Sequence, residues 1–134
     1  THNNDTCISY LDSFVNTPNY YWAIEVKNKE PSHIGSITAF VDYNNSVADI
    51  GIMIGNKNEW GKGYGQDAWN TILSFLLKKQ DVRKITAGTL ACNTAMRNII
   101  EKSGMRIEGV RNEQELINGE PQDVVLFAIL NKEN

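Results

Sequence analysis

Asn58-Glu59-Trp60-Gly61-Lys62-Gly63-Tyr64-Gly65-Gln66 is the stretch on which the reading of this chain turns. Its three alternating glycines lie between an apolar, strand-like run, Val47 to Ile54, and a segment in which Ala68, Trp69, Ile72, Leu73 and Leu76 recur every three or four residues, as on one helix face. Glycine lacks a Cβ, so it reaches backbone angles closed to other residues and lets a ligand come close to the main chain. Successive N–H groups can then converge on an anion, and the helix that follows adds its unpaired N-terminal donors and positive dipole end. Two other glycine motifs fit less well. A Walker loop needs Gly-Lys-Ser/Thr, but Lys62 is followed by Gly63, and G-x-G-x-x-G would need glycine where Gln66 stands. On the loop alone, a phosphate cradle and an ordinary glycine-rich turn are equally open readings.

Upstream, Cys7, Ile8, Leu11, Phe14 and Val15 recur at helical spacing and predict a helix within Thr1 to Thr17, ending before Pro18. Tyr20 to Lys27, Ile34 to Tyr43 and Val47 to Ile54 read as three antiparallel strands, with Asn44-Asn45-Ser46 as a hairpin turn. Downstream of the glycines come a helix to about Lys79 and a strand from Arg83 to Ala91. A second helix is capped by Asn93 or Thr94 and stopped by Gly104. Met105 to Leu116 and Gln122 to Leu130 read as strands around Asn118-Gly119, which favours a tight hairpin or a short loop. The strand-helix-strand unit implies one parallel pair. The expected fold class is therefore α+β, a mixed, mostly antiparallel sheet with helices on both faces.

The 134 residues, 41% of them hydrophobic, suffice for one domain with a real core, taken as residues 1–134. Thirteen basic against sixteen acidic residues give net −3, so bulk charge recommends neither nucleic acid nor an anionic membrane as partner. Cys7 and Cys92 form no metal or disulfide pattern, and with His2 and His33 isolated no metal site is expected. Reduced thiols and the lack of a leader or membrane-span pattern suggest the cytoplasm. Cys92 follows Leu90-Ala91 and reads as a small buried core residue rather than an acyl carrier. The chain opens on Thr1 rather than Met and is read as a fragment or processed product.

Two blocks resemble the GNAT N-acetyltransferase superfamily, particularly the branch of ribosomal-protein and amino-sugar or antibiotic acetyltransferases. Ala48-Asp49-Ile50-Gly51-Ile52-Met53-Ile54 with Trp60 to Ala68 is similar to the family's fourth strand and pyrophosphate loop, R/Q-x-x-G-x-G/A. Asn93 to Met105 is similar to its N-x-x-S/A…E-K-x-G-F block. The resemblance covers most of the chain and implies a GNAT-like fold whose first strand and helix have no counterpart here. It also implies acetyl-CoA as co-substrate, with no metal. The acceptor would be an amine, either a small molecule or a protein N-terminus, and a homodimer is allowed for.

In that frame Gly61, Lys62, Gly63, Tyr64, Gly65 and Gln66 would hold the pyrophosphate, and main-chain groups of Ile52, Met53 and Ile54 would pair with the pantetheine arm. Asn93 would bond the pantetheine or its thiol end, besides capping its helix, and Lys102 would reach the adenosine phosphates. Asp49 is the candidate base, matching a glutamate of the histone-acetylating branch; as a strand residue it reads equally well as merely solvent-facing. Glu25, Glu108 and Asp123 are secondary carboxylates for an amine. Three departures stand out. Trp60 replaces the loop's Arg or Gln, Ile100 the tyrosine that serves many members as general acid, and Met96 the serine of the ribosomal-protein branch. The last two motivate a second reading, a CoA-binding regulatory or catalytically degenerate domain.

Overall fold

A computed structural model describes residues 20–25, 33–55 and 63–131. The helix expected within Thr1 to Thr17 lies outside them. The described elements are β1 (Tyr20–Glu25), β2 (His33–Asp42), β3 (Val47–Ile54), α1 (Tyr64–Leu77), β4 (Lys84–Leu90), α2 (Thr94–Lys102), β5 (Arg106–Ile117) and β6 (Glu120–Leu130). They form one six-stranded sheet in the order β1-β2-β3-β4-β6-β5, antiparallel throughout except for β3 beside β4. The mixed, mostly antiparallel sheet expected from the sequence is present.

Alternation along the strands sorts side chains onto two faces. Ala39 and Val41, Ala48 and Ile50, Ile85 and Ala87, and Val125 and Phe127 are all buried on one face. Against it lie Trp69, Leu73 and Leu76 of α1 and Ile100 of α2, all in a single core. Both described helices therefore pack on the same side. Trp69 is fully enclosed, and its indole N–H donates to Ser103 Oγ at 3.2 Å, so its one polar atom is satisfied. Truncating it to alanine would cost about 3–5 kcal/mol. Buried Asn131 donates to the carbonyls of Leu77 and Val82, at 2.6 and 3.0 Å, filling an acceptor at the end of α1 where no helical N–H reaches.

The turns follow their residue types. Asp42 accepts from the N–H groups of Asn44 and Asn45 and from the Asn45 amide, which lowers its carboxyl pKa and folds the β2–β3 hairpin. Asn118 and Gly119 both have positive φ, 52° and 82°, the pairing a two-residue hairpin of this twist requires.

Candidate active site

β3 is paired with β2 along its whole length, but with β4 over three residue pairs only: Val47 with Lys84, Ala48 with Ile85, and Asp49 with Thr86. Past Asp49 the two strands part. β4 continues beside β6 as far as Leu90, and β3 beside β2 as far as Ile54. Among the described strands, none continues the ladder on the β4 side of β3 beyond Asp49. A gap opens through the sheet at the end where both helices begin.

On the helix side of that gap, α1 starts at Gly63, whose φ of 86° is left-handed and whose lack of a side chain leaves the helix uncapped. The first bond onto the Gly63 carbonyl comes from the Asp67 N–H, at 3.0 Å. The N–H groups of Tyr64, Gly65 and Gln66 precede any helical acceptor and carry the positive end of the dipole. Gly65 is buried and Tyr64 half-buried against the Ile24, Ile34 and Ile37 cluster, so the ring packs. The Gln66 side chain donates to the carbonyl of Ile99 and to Asn70 Oδ1, both at 3.0 Å, and so braces α1 against α2; what it offers an anion is its main-chain N–H. Gly61, Lys62 and Trp60 lie outside the described residues.

On the other face, at the apex of the gap, stands Asp49. Its neighbours Ala48 and Ile50 are buried under the helices, so Asp49 faces away from them and is open to solvent. Thr86 Oγ1 donates to Asp49 Oδ1 at 2.6 Å. Crowding by the surrounding sheet raises the Asp49 carboxyl above its ordinary pKa, and the Thr86 bond offsets part of that rise. Phe40 of β2 pairs with Asp49, and Met53 lies on the same face further along β3; both are about half exposed, 45% and 46%, so this face of the sheet is partly apolar.

Asn93 caps α2, its Oδ1 accepting from the Met96 N–H at 3.0 Å. Ile100 is fully enclosed and Met96 packs beside it, so neither position usual for a proton donor supplies one. Lys102 is the last residue of α2. It lines a cavity of about 430 Å³ beside Asn70, Leu73 and Ser74, about two to three helical turns along α1 from Gly63. Glu108 is paired with Lys84 at 2.5 Å, and Asp123 accepts from the Glu113 N–H at 2.8 Å, so both carboxylates are committed to the β4–β6–β5 side. Glu25 lines a separate cavity of about 450 Å³ at the sheet edge, with Trp22, Tyr64 and Asp67. The expectation for Cys92 is corrected: the thiol is free and exposed, because the chain turns at Ala91-Cys92 to enter α2 instead of continuing the strand. Sequence reading missed Thr86; its signal is the parallel register, which only the fold reveals.

Among the described residues no His, Cys, Asp and Glu cluster is placed to hold a metal, and no helix is long and apolar enough to cross a membrane.

Comparison with known proteins agrees with this architecture. The chain is 27% identical over 103 residues to a probable N-acetyltransferase, YjcK, of Bacillus subtilis strain 168, covering 75% of this chain and 56% of that protein. It therefore spans little more than half of that relative's length. A Vibrio cholerae spermidine N-acetyltransferase solved with CoA and spermine superposes with a TM-score of 0.83, at 22% identity over 98% of this chain and 78% of that one. A GNAT-family acetyltransferase from Bacillus anthracis gives 0.79, at 23% identity, over 98% and 76%. At such identities the structures speak for the fold. Residues 1–106, most of the 134, match the family described as Acetyltransferase (GNAT) domain, and the chain belongs to that family.

Proposed function

We propose that this chain is the acetyl-CoA-dependent N-acetyltransferase domain of a GNAT protein, and that it moves an acetyl group to a primary amine by direct attack in a ternary complex. The observation that carries this reading is the gap between β3 and β4, with helical N–H donors at one mouth and a carboxylate at the other. A phosphate-bearing thioester donor fits such a passage. Its pyrophosphate meets the N–H groups of Tyr64, Gly65 and Gln66, joined by Gly61, Lys62 and Gly63. Its pantetheine arm lies along the β3 edge of Ile52, Met53 and Ile54, and Asn93 lies beside the thiol end. The acyl group then emerges on the face where Asp49 stands.

An alkylamine with a pKa near about 10 is mostly protonated at neutral pH and cannot attack. Asp49, directly or through a water, takes one proton from the ammonium. The amine nitrogen attacks the thioester carbon, and a β3 N–H at the gap stabilises the developing oxyanion. The C–S bond breaks, and the departing thiolate takes the second amine proton. A thiol pKa near about 8.5 lets sulfur leave without a dedicated acid, which suits a site where Ile100 and Met96 replace the usual donors.

We favour a small amine acceptor, because Met96 stands in place of the ribosomal-protein branch's serine and because a fold neighbour is a spermidine acetyltransferase. A cytoplasmic location, the single domain and a homodimer belong to the same proposal; light scattering tests the last. The deciding experiment measures free thiol released from acetyl-CoA with spermidine, an amino sugar, an aminoglycoside or an N-terminal peptide as acceptor. Amine-dependent release is expected, and Asp49→Asn should lower kcat by about 100-fold or more. Stabilisation by acetyl-CoA with no release from any acceptor would instead identify a CoA-binding, degenerate domain.

A further inference from the structure

We propose that Thr86 is a positioning residue that holds the Asp49 carboxylate at the apex of the β3–β4 gap, fixing which of its oxygens receives the proton. The inference rests on the reading of Asp49 as base and extends it to a residue on another strand.

The parallel ladder ends at Asp49 and Thr86, so these side chains are the last pair before the strands separate. They share the face turned away from the helices, and their 2.6 Å hydrogen bond links the two strands where the main-chain ladder stops. Threonine suits this task. Branching at Cβ restricts its side-chain rotation, so the hydroxyl is held with little freedom to lose. Its one proton goes to Oδ1, while Oδ2 accepts no hydrogen bond from any described residue. A carboxylate gripped on one oxygen presents the other in a constant direction. Proton transfer depends on such placement, because the base must stand within hydrogen-bond reach of the ammonium or of the bridging water. The hydroxyl also favours the charged carboxylate, keeping the base ionised despite its crowded surroundings.

Two readouts test the proposal. Carbon-detected NMR titration of the Asp49 carboxyl, assigned by its disappearance in Asp49→Asn, reports the coupling without substrate. Thr86→Val should move that titration to higher pH by about half a unit to one unit, and Thr86→Ser should restore it. The pH profile of kcat/KM, taken with the amine that turns over fastest in the acceptor panel, reports the role. Its acid limb should follow the same order: upward in Thr86→Val, restored in Thr86→Ser, absent in Asp49→Asn. A limb lost in Asp49→Asn but unmoved in Thr86→Val overturns the role of Thr86 and leaves the base reading standing. A limb unchanged in Asp49→Asn overturns both. Thr86→Ala replaces Thr86→Val if the latter fails to fold, with the same outcomes.

Discussion

The two described helices begin at the same end of the sheet, one after β3 and one after β4, and their first turns are finished in opposite ways. At α2, Asn93 closes the turn with its own side chain, accepting from the Met96 N–H. At α1, Gly63 sits in the left-handed region with no side chain to offer, and among the described residues no side chain caps the donors of Tyr64 to Gln66. With glycine at the start, the missing side-chain cap costs only about a few tenths of a kcal/mol. The contrast teaches that the sequence knows how to cap a helix and omits the cap where donors are left for something else. On the function proposed above, that something is the phosphate of the acyl donor.

Making the open start resemble an ordinary residue should give the largest effect. Gly63→Ala forces a Cβ into a φ of 86°, where nothing lies within 4 Å to clash, so the penalty is backbone strain alone. At about 1–2 kcal/mol, relief by a shifted loop should weaken CoA binding roughly tenfold by calorimetry. Unchanged affinity would erase the functional side of the contrast. Next, Asn93→Ala should cost about 1 kcal/mol of unfolding free energy in urea, while Asn93→Asp keeps the acceptor and the stability. If Asn93→Asp nonetheless lowers kcat/KM, the closed start serves the ligand as well as the helix. Of comparable size, Gln66→Ala removes the brace between the helices and should cost about 0.5–1.5 kcal/mol.

The smallest effect concerns the Asp49 carboxylate at the gap. Because the Asp49 pKa is raised on folding, the folded chain binds more protons than the unfolded one between the two values. Stability therefore falls as pH rises through that window and is level above it. Asp49→Asn should raise the melting temperature at pH 7, with the gain vanishing below about pH 3.9, where both states are protonated. A gain independent of pH would mean that crowding does not perturb this carboxyl.

The sheet was legible because its strands alternate, its turns carry Asn, Asp and Gly, and its helices keep one apolar stripe. The uncapped start was legible too, since glycine announces backbone freedom in the sequence itself. What was hidden depends on register or direction. That Thr86 lies beside Asp49 follows from a parallel pairing 37 residues apart, which no local pattern encodes. The place of Lys102 was hidden as well, because α1 and α2 run side by side in the same sense, which sets it beside Asn70 and Ser74. Cys92 misled because an apolar neighbourhood in sequence is not one in space when the chain turns there.

The three-pair ladder between β3 and β4 has a mechanical side. It makes the sheet two leaves, β1-β2-β3 and β4-β6-β5, stitched at one end only. An extended ligand with amide groups, seated in the opening, would serve as a removable strand, and linkage then requires it to protect the edges it covers as its occupancy rises. Slowed amide exchange should appear from Gly51 to Ile54 and spread little to the outer strands. The domain would thus be an incomplete sheet that its own substrate completes, more rigid at work than at rest.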